Sequence, residues 1–411
     1  MSNDAMAKKN SKHFCILPWL HFHAWPDGRV FPCCLAGSEK VFGNLSRESV
    51  SEIINSREFR ELRLRMLNDQ PSQVCRSCYE LEADANSYTL RKSSLQSFSN
   101  RLSSVDEMTN SDGSIKSFDM AYLDIRFSNI CNFKCRTCGP DFSSSWQEEF
   151  RSKGESVGQI PIQIDGGFEK IKPYLDRVEE VYFAGGEPLV SPEHYEILDY
   201  WIKSGRTDVR LRYTTNFSHF KFKSYDLIEL WKNFRDVRVA ASLDDEGIRG
   251  EYIRKGTKWE TIVRNRKEMM ALCPDIHFEI TPTVSIFNVL TVPEFHRNWI
   301  EAGLLRPENI RINYLLNPEI YSAKILGANL RNKMQDIYGA HAEFLAKQHY
   351  ADERAKQSTI DAFKGVQKFV LAEDRSHLIP DFLTKNQSVD STRSESLFET
   401  FPHLRGLREN D

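Results

Sequence analysis

Across 411 residues no apolar run is long enough to cross a bilayer, and the opening MSNDAMAKKNSKHF lacks the apolar centre of a secretory signal. Both absences argue against a spanning or exported chain and give a cytoplasmic address by default. An excess of one charge is also missing. With 55 Lys and Arg against 58 Asp and Glu, the formal net charge of −3 makes no field that recruits nucleic acid. The 11 histidines form no HxxxH-like metal pair, and there is no internal repeat. Cysteine is scarce in the back of the chain: eight of the nine fall before position 139, and only Cys273 lies beyond. In a reducing compartment such cysteines are ligands or catalysts rather than disulfides. The chain therefore divides into a metal-rich front and a metal-poor back. A hydrophobic fraction of 40% is enough for a substantial core.

Residues 1–13 are polar and are expected to be disordered. A cysteine-rich region covers 14–95. Within it, SRESVSEIINSREFRELRLRML sets Val50, Ile53, Ile54, Leu62 and Met66 near helical spacing behind Ser46 as N-cap, with Arg57, Arg60, Arg63 and Arg65 on a solvated face. The Ser-, Asn- and Asp-rich stretch 96–117 reads as a linker. From 118 to 317 the strand-like runs AYLDIRFS, VEEVYFAG, VRLRYTTN, VRVAASLD, IHFEITPTVS and NIRINYLLN alternate with helical stretches. Six successive β/α units mean an α/β fold with a parallel sheet, which fits a doubly wound sheet as well as a full or partial barrel. Residues 318–411 are expected to form a helical extension with a polar final part.

The segment CNFKCRTCGP places Cys131, Cys135 and Cys138 directly after the first of these strands. Three thiolates on one loop can hold three irons of a four-iron cube and leave the fourth open; a zinc knuckle completed by a distant Cys or His is the rival. VYFAGGEPLV then sets Gly185, Gly186, Glu187 and Pro188 at the end of the second strand, and the fourth strand ends in ASLDD ahead of EYIRKGTKWETIVRN. The Cys-x3-Cys-x2-Cys loop with Asn132 and Phe133, the Gly-Gly-Glu-Pro turn, and Ser-Leu-Asp followed by Ile-Arg-x-Gly together resemble the radical S-adenosylmethionine (radical SAM) superfamily. Thr137 stands where that family often has an aromatic residue.

The resemblance spans roughly residues 118–317 and implies a partial (β/α)6 TIM-type barrel with a helical C-terminal extension. It implies a [4Fe-4S] cluster whose open iron is chelated by SAM, and reductive cleavage of SAM to a 5′-deoxyadenosyl radical that abstracts a hydrogen atom from a substrate. By the same resemblance Gly185, Gly186, Glu187 and Pro188 receive the SAM amino group, Ser242 and Arg254 bind its ribose or carboxylate, and Asn216 lines the same pocket. A guanidinium suits a planar carboxylate because it can donate two parallel hydrogen bonds. The plain alternative has Ser242 capping a turn and Arg254 in solvent.

A second set lies in FCILPWLHFHAWPDGRVFPCC and VCRSCYELE, where Cys15, Gly28-x4-Cys33 and Cys75-x2-Cys78 resemble the opening of SPASM and twitch auxiliary-cluster modules. This implies Cys15, Cys33, Cys75 and Cys78 as ligands of one auxiliary [4Fe-4S] cluster, with Cys34 the doubtful member and zinc the alternative metal. Such modules ordinarily follow the barrel, whereas this one precedes it. Trp19, His21, Phe22, His23 and Trp25 are expected to form its core, Cys273 to be a buried small residue, and His194 to lie on a helix surface. The implied partners are an electron donor such as flavodoxin or ferredoxin and a substrate. A peptide or protein side chain is the expected substrate, a small metabolite or nucleotide-derived compound the alternative, and a non-catalytic iron–sulfur or zinc scaffold the reading of another class.

Overall fold

The computed structural model describes residues 3–82, 89–155 and 163–408. The chain forms two compact units: residues 1–131, 154–213 and 229–237 make the first, and 132–153, 214–228 and 238–411 the second. These boundaries differ from the expected ones at 95, 118 and 317.

The first unit is built on strands β1 (His21–Ala24), β2 (Arg29–Phe31), β3 (Gly43–Asn44), β4 (Tyr122–Ile125), β5 (Glu180–Phe183) and β6 (Arg210–Thr215), in the order β6–β5–β4–β1–β2–β3. β4, β5 and β6 run parallel, as the strand–helix alternation predicts. β1 also joins in parallel, with His21 opposite Tyr122 and His23 opposite Asp124. All four residues of β1 are buried, as in a strand covered on both faces. Leu123, Val181, Phe183, Leu211 and Tyr213 turn to one face, where Phe183 and Tyr213 meet His194 of helix Pro192–Lys203.

His194 is therefore not a surface residue: it is 1% exposed, and its Nε2 is 2.9 Å from the Tyr213 hydroxyl. The front of the chain corrects four further expectations. Asn3–Asn10 is a helix with Ala5 buried and Lys8 paired to Asp106, rather than a disordered end. The helical stretch after Ser46 is two helices, Val50–Ile54 capped by Ser49 and Glu52, and Arg57–Leu67 capped by Ser56, because each serine accepts a backbone N–H and restarts the turn. Arg63 is buried rather than solvated, donating to the carbonyls of Pro18 and Gly113. The expected linker 96–117 is ordered: Phe98, Leu102, Val105 and Ile115 are buried, so a polar composition hid an apolar side.

The second unit holds the hairpin β7 (Lys221–Phe222) and β8 (Tyr225–Asp226), the parallel pair β9 (Val237–Ala241) and β10 (His277–Ile280), and the parallel pair β11 (Thr283–Val284) and β12 (Asn313–Tyr314). The sixth expected strand is thus short, joined to β10 only by the bridge Ile280–Ile310. Helices Trp259–Leu272 and Val292–Glu301 follow their strands as expected. Cys273 ends the first of them and is 8% exposed. Beyond 318 come helices Ala328–Ala346, Glu353–Leu371 and Ile379–Arg393. The polar final part is packed rather than loose, because Phe382, Val389, Leu397, Phe401 and Leu404 are buried at near-helical intervals. Among the described residues no helix is long and apolar enough to cross a membrane.

Candidate cofactor site

In the first unit the turn after β5 is pressed against the strand-to-cysteine loop. The Gly186 amide donates to the Ser128 carbonyl at 3.3 Å and the Glu187 amide to the Ile130 carbonyl at 2.8 Å. Gly185 has φ +120°, and a Cβ on Gly186 would stand 2.2 Å from the Ile130 oxygen, so side chains are excluded here. Glu187 is 2% exposed and accepts the Leu189 amide at 3.0 Å, capping the turn that Pro188 opens. This is a cradle of backbone with one buried carboxylate, suited to a small cationic group.

Beside it on the sheet lies a polar cluster that sequence reading passed over. His23 Nδ1 is 3.0 Å from the Asp124 carbonyl and 3.1 Å from its Oδ2, while Trp25 Nε1 donates to His23 Nε2. Asp124 is fully buried, and burial alone would raise its pKa; His23, with Arg126 and His21, overrides this and holds it at about 2. Asp124, Glu180, Tyr182, Arg210 and Arg212 share one face of β4, β5 and β6. A closed barrel fills its interior with branched apolar side chains; this face is polar. The period-2 alternation in the strands was the available signal.

The front cysteines are gathered in the same unit. Burial pushes the Cys15 thiol up to about 11 and Cys75 to about 12, and raises Cys33 and Cys78. Cys33 lies in the field of Cys34 first and then of Cys15 and Cys75, and Cys34, at about 12 through burial, in that of Asp124, Arg126 and then Cys78. All nine cysteines are free of disulfides. Among the described residues no group of three Cys, His, Asp or Glu side chains is close enough to grip a single ion.

In the second unit the loop after Cys131 carries Cys135 and Cys138, both in the field of Arg254, with Cys135 also sensing Cys138. Burial raises the Cys135 thiol to about 12. Arg254 does not lie in solvent. Its Nη2 donates to Asp244 Oδ1 at 3.2 Å, its Nε is 2.8 Å from Oδ2, and its Nη1 is 3.9 Å from the Cys135 sulfur. Ser242, half-buried at the end of β9, donates its amide to the Thr215 carbonyl. Asn216 is 6% exposed and donates to Asn132 Oδ1 at 2.8 Å. The segment after strand four thus reaches the cysteine loop from two directions: Lys134 and Arg136 amides donate to the Lys255 and Ile253 carbonyls. Buried thiols without disulfide partners fit a metal that takes up thiolates and releases their protons, and the Gly-Gly-Glu-Pro cradle fits the amino group of SAM.

Residues 125–296 match the radical SAM superfamily, and residues 15–79 match SPASM, an iron–sulfur cluster-binding domain. Curated relatives include three GTP 3′,8-cyclases. That of Campylobacter lari is 32% identical over 108 residues, 26% of this chain and 30% of the relative. That of Aliarcobacter butzleri is 31% identical over 131 residues, 30% of this chain and 34% of the relative, and that of Campylobacter curvus 32% over 128, with the same coverage. The chain thus spans about a third of the length of these relatives. Among solved structures, anSMEcpe with bound AdoMet overlays with a TM-score of 0.39 at 20% identity, covering 55% of this chain and 61% of that one. TYW1 with a lysine–pyruvate adduct gives 0.29 at 14% identity, covering 55% and 71%.

Fold, cysteine sets and domain matches define an iron–sulfur protein with an α/β parallel sheet. Residues 125–296 form a radical SAM domain, with a SPASM domain ahead of it. The radical SAM domain brings a [4Fe-4S] cluster and SAM as cofactors, and the SPASM domain an auxiliary iron–sulfur cluster.

Proposed function

We propose that this protein is a radical SAM enzyme acting on a small polar, nucleotide-derived substrate. In this reading Cys131, Cys135 and Cys138 hold the SAM-binding cluster, and Cys15, Cys33, Cys75 and Cys78 the auxiliary one. Gly185, Gly186, Glu187, Pro188, Asn216, Ser242 and Arg254 serve SAM. When bound, the reduced cluster and SAM supply the chemistry: one electron cleaves SAM to methionine and a 5′-deoxyadenosyl radical, which takes a hydrogen atom from the substrate.

The residues of the chain bind, orient and exclude water. The observation that carries the reading is Arg254, whose guanidinium links Asp244 of the neighbouring Ser-Leu-Asp segment to the Cys135 sulfur, 119 positions away in sequence. Burial alone would lower the Arg254 pKa, but Asp244 and then Cys135 raise it, so the cation is kept beside the thiol. The Glu187 carboxylate in its glycine cradle is the acceptor for an ammonium.

For the substrate, the likeness to GTP 3′,8-cyclases supports a nucleotide-derived compound over the peptide or protein side chain expected from sequence. A one-electron donor such as flavodoxin or ferredoxin completes the system.

The test is anaerobic reconstitution with iron and sulfide, reduction with SAM, and chromatography for 5′-deoxyadenosine, with and without GTP, other nucleotides or peptides. We expect 5′-deoxyadenosine from the intact protein, faster with a nucleotide, and none from a Cys131→Ala, Cys135→Ala, Cys138→Ala triple variant that still keeps the iron of one cluster. A reconstituted protein that binds no SAM would refute the enzyme reading; acceleration by peptides alone would refute the substrate class.

A further inference from the structure

Arg136 stands between Cys135 and Cys138, yet its side chain is wholly buried. Nη1 donates to Asn386 Oδ1 at 2.9 Å, and Nη2 to Asp390 Oδ1 and to Glu395 Oε2, each at 2.5 Å. Nε donates to the Tyr252 carbonyl at 3.2 Å, and the guanidinium lies 3.6 Å over the Tyr252 ring. The acceptors are themselves tied down: the Tyr252 hydroxyl donates to Asp390 Oδ1, and Lys255 Nζ to Glu395 Oε1 at 2.7 Å. A second tie runs alongside. Arg393 grips Glu149, which also receives Lys134 at 2.6 Å, and Trp146 Nε1 donates to the Cys135 carbonyl at 2.8 Å.

We propose that the segment Asn386–Glu395 is a built part of the radical-generating site, with Arg136 as the positioning residue through which it fixes the cysteine loop and sets the charge around its cluster. This rests on the assignment of Cys135 and Cys138 as cluster ligands. Arg136 and Lys255 balance Asp390 and Glu395, so removing either carboxylate leaves this group with a net positive charge beside the cluster, which favours adding an electron.

The test uses full-length, reconstituted Glu395→Gln and Asp390→Asn variants, with Arg136→Lys alongside. The readouts are iron content, the reduction potential of the SAM-binding cluster by EPR-monitored titration, and the change in its EPR spectrum on adding SAM. Either carboxylate variant should keep its iron and move the potential upward, whereas Arg136→Lys should retain the charge but weaken the SAM-induced spectral change. Unaltered potential and spectra in iron-replete carboxylate variants would overturn the proposal. Should the variants fail to fold, amide exchange in the wild-type chain decides: residues 132–138 should open together with helix Ile379–Arg393, and independent opening overturns the clamp. If no three-cysteine cluster forms even in the wild-type protein, the ligand assignment fails, and the exchange experiment still tests the clamp.

Discussion

Replacing Gly186 with Ala should loosen the whole Gly-Gly-Glu-Pro turn. The new Cβ would lie 2.2 Å from the Ile130 oxygen and 2.6 Å from the Asn129 carbonyl carbon, and both are backbone atoms that cannot swing aside. Relieving that clash costs about 1–3 kcal/mol. The turn must also retreat from Ser128 and Ile130, weakening the amide hydrogen bonds at 3.3 and 2.8 Å, at about 1 kcal/mol each. The expected loss is about 3–5 kcal/mol, a large share of the roughly 5–15 kcal/mol that holds an ordinary domain. Urea unfolding followed by tryptophan fluorescence measures it, and SAM binding to the reconstituted protein should weaken in parallel. Gly339→Ala is the control: it sits inside helix Ala328–Ala346 with nothing within 4 Å of its added Cβ, so it should gain about 0.5–1 kcal/mol. If Gly186→Ala unfolds at the wild-type midpoint and binds SAM normally, the close approach does not shape the turn and the reasoning fails.

Other outcomes follow from buried charge. Arg63→Ala should lose about 2–4 kcal/mol in chemical denaturation, since it orphans the Pro18 and Gly113 carbonyls and leaves a void. Arg254→Met should cost about 3–5 kcal/mol by stranding buried Asp244; adding Asp244→Asn should recover part of that, and a double-mutant cycle measures the coupling. Acid should destabilise the fold through His194, His296 and His341, each held by burial at about 3 rather than the ordinary 6.5, with Arg297 also opposing the charge on His341. The unfolded chain takes up these protons first, so stability present above about pH 6.5 is lost as the pH falls toward 3. The slope is about 1.4 kcal/mol per pH unit per histidine. Urea midpoints between pH 7 and 4 should show that slope, and His194→Phe should flatten it.

The motifs were legible because their chemistry fixes both residue type and spacing. The Gly-Gly-Glu-Pro turn and the Arg254 segment lie where their resemblance placed them along the strands, and five of the six barrel strands follow their apolar runs. What escaped was whatever depends on partners distant in the chain. Arg63 looks like a solvated cation in sequence, and only its acceptors at Pro18 and Gly113 show otherwise. The stretch 96–117 hides Phe98, Leu102, Val105 and Ile115 among serines, too sparsely for periodicity to register. The dyad of His23 and Asp124 required knowing that β1 pairs with β4.

That pairing bears on how the chain is made. His21 and Tyr122 are joined across 101 positions of sequence, so the strand that leaves the ribosome early must wait for one synthesised much later. Long-range parallel pairing of this kind is slow, and it leaves a bare strand edge exposed meanwhile. A fragment ending before Tyr122 would keep the front cysteines and lose the neighbour that completes their sheet. Metal loading of the front set during synthesis would therefore act on an unfinished scaffold, and co-expression of the two halves as separate chains should yield aggregates rather than a working pair.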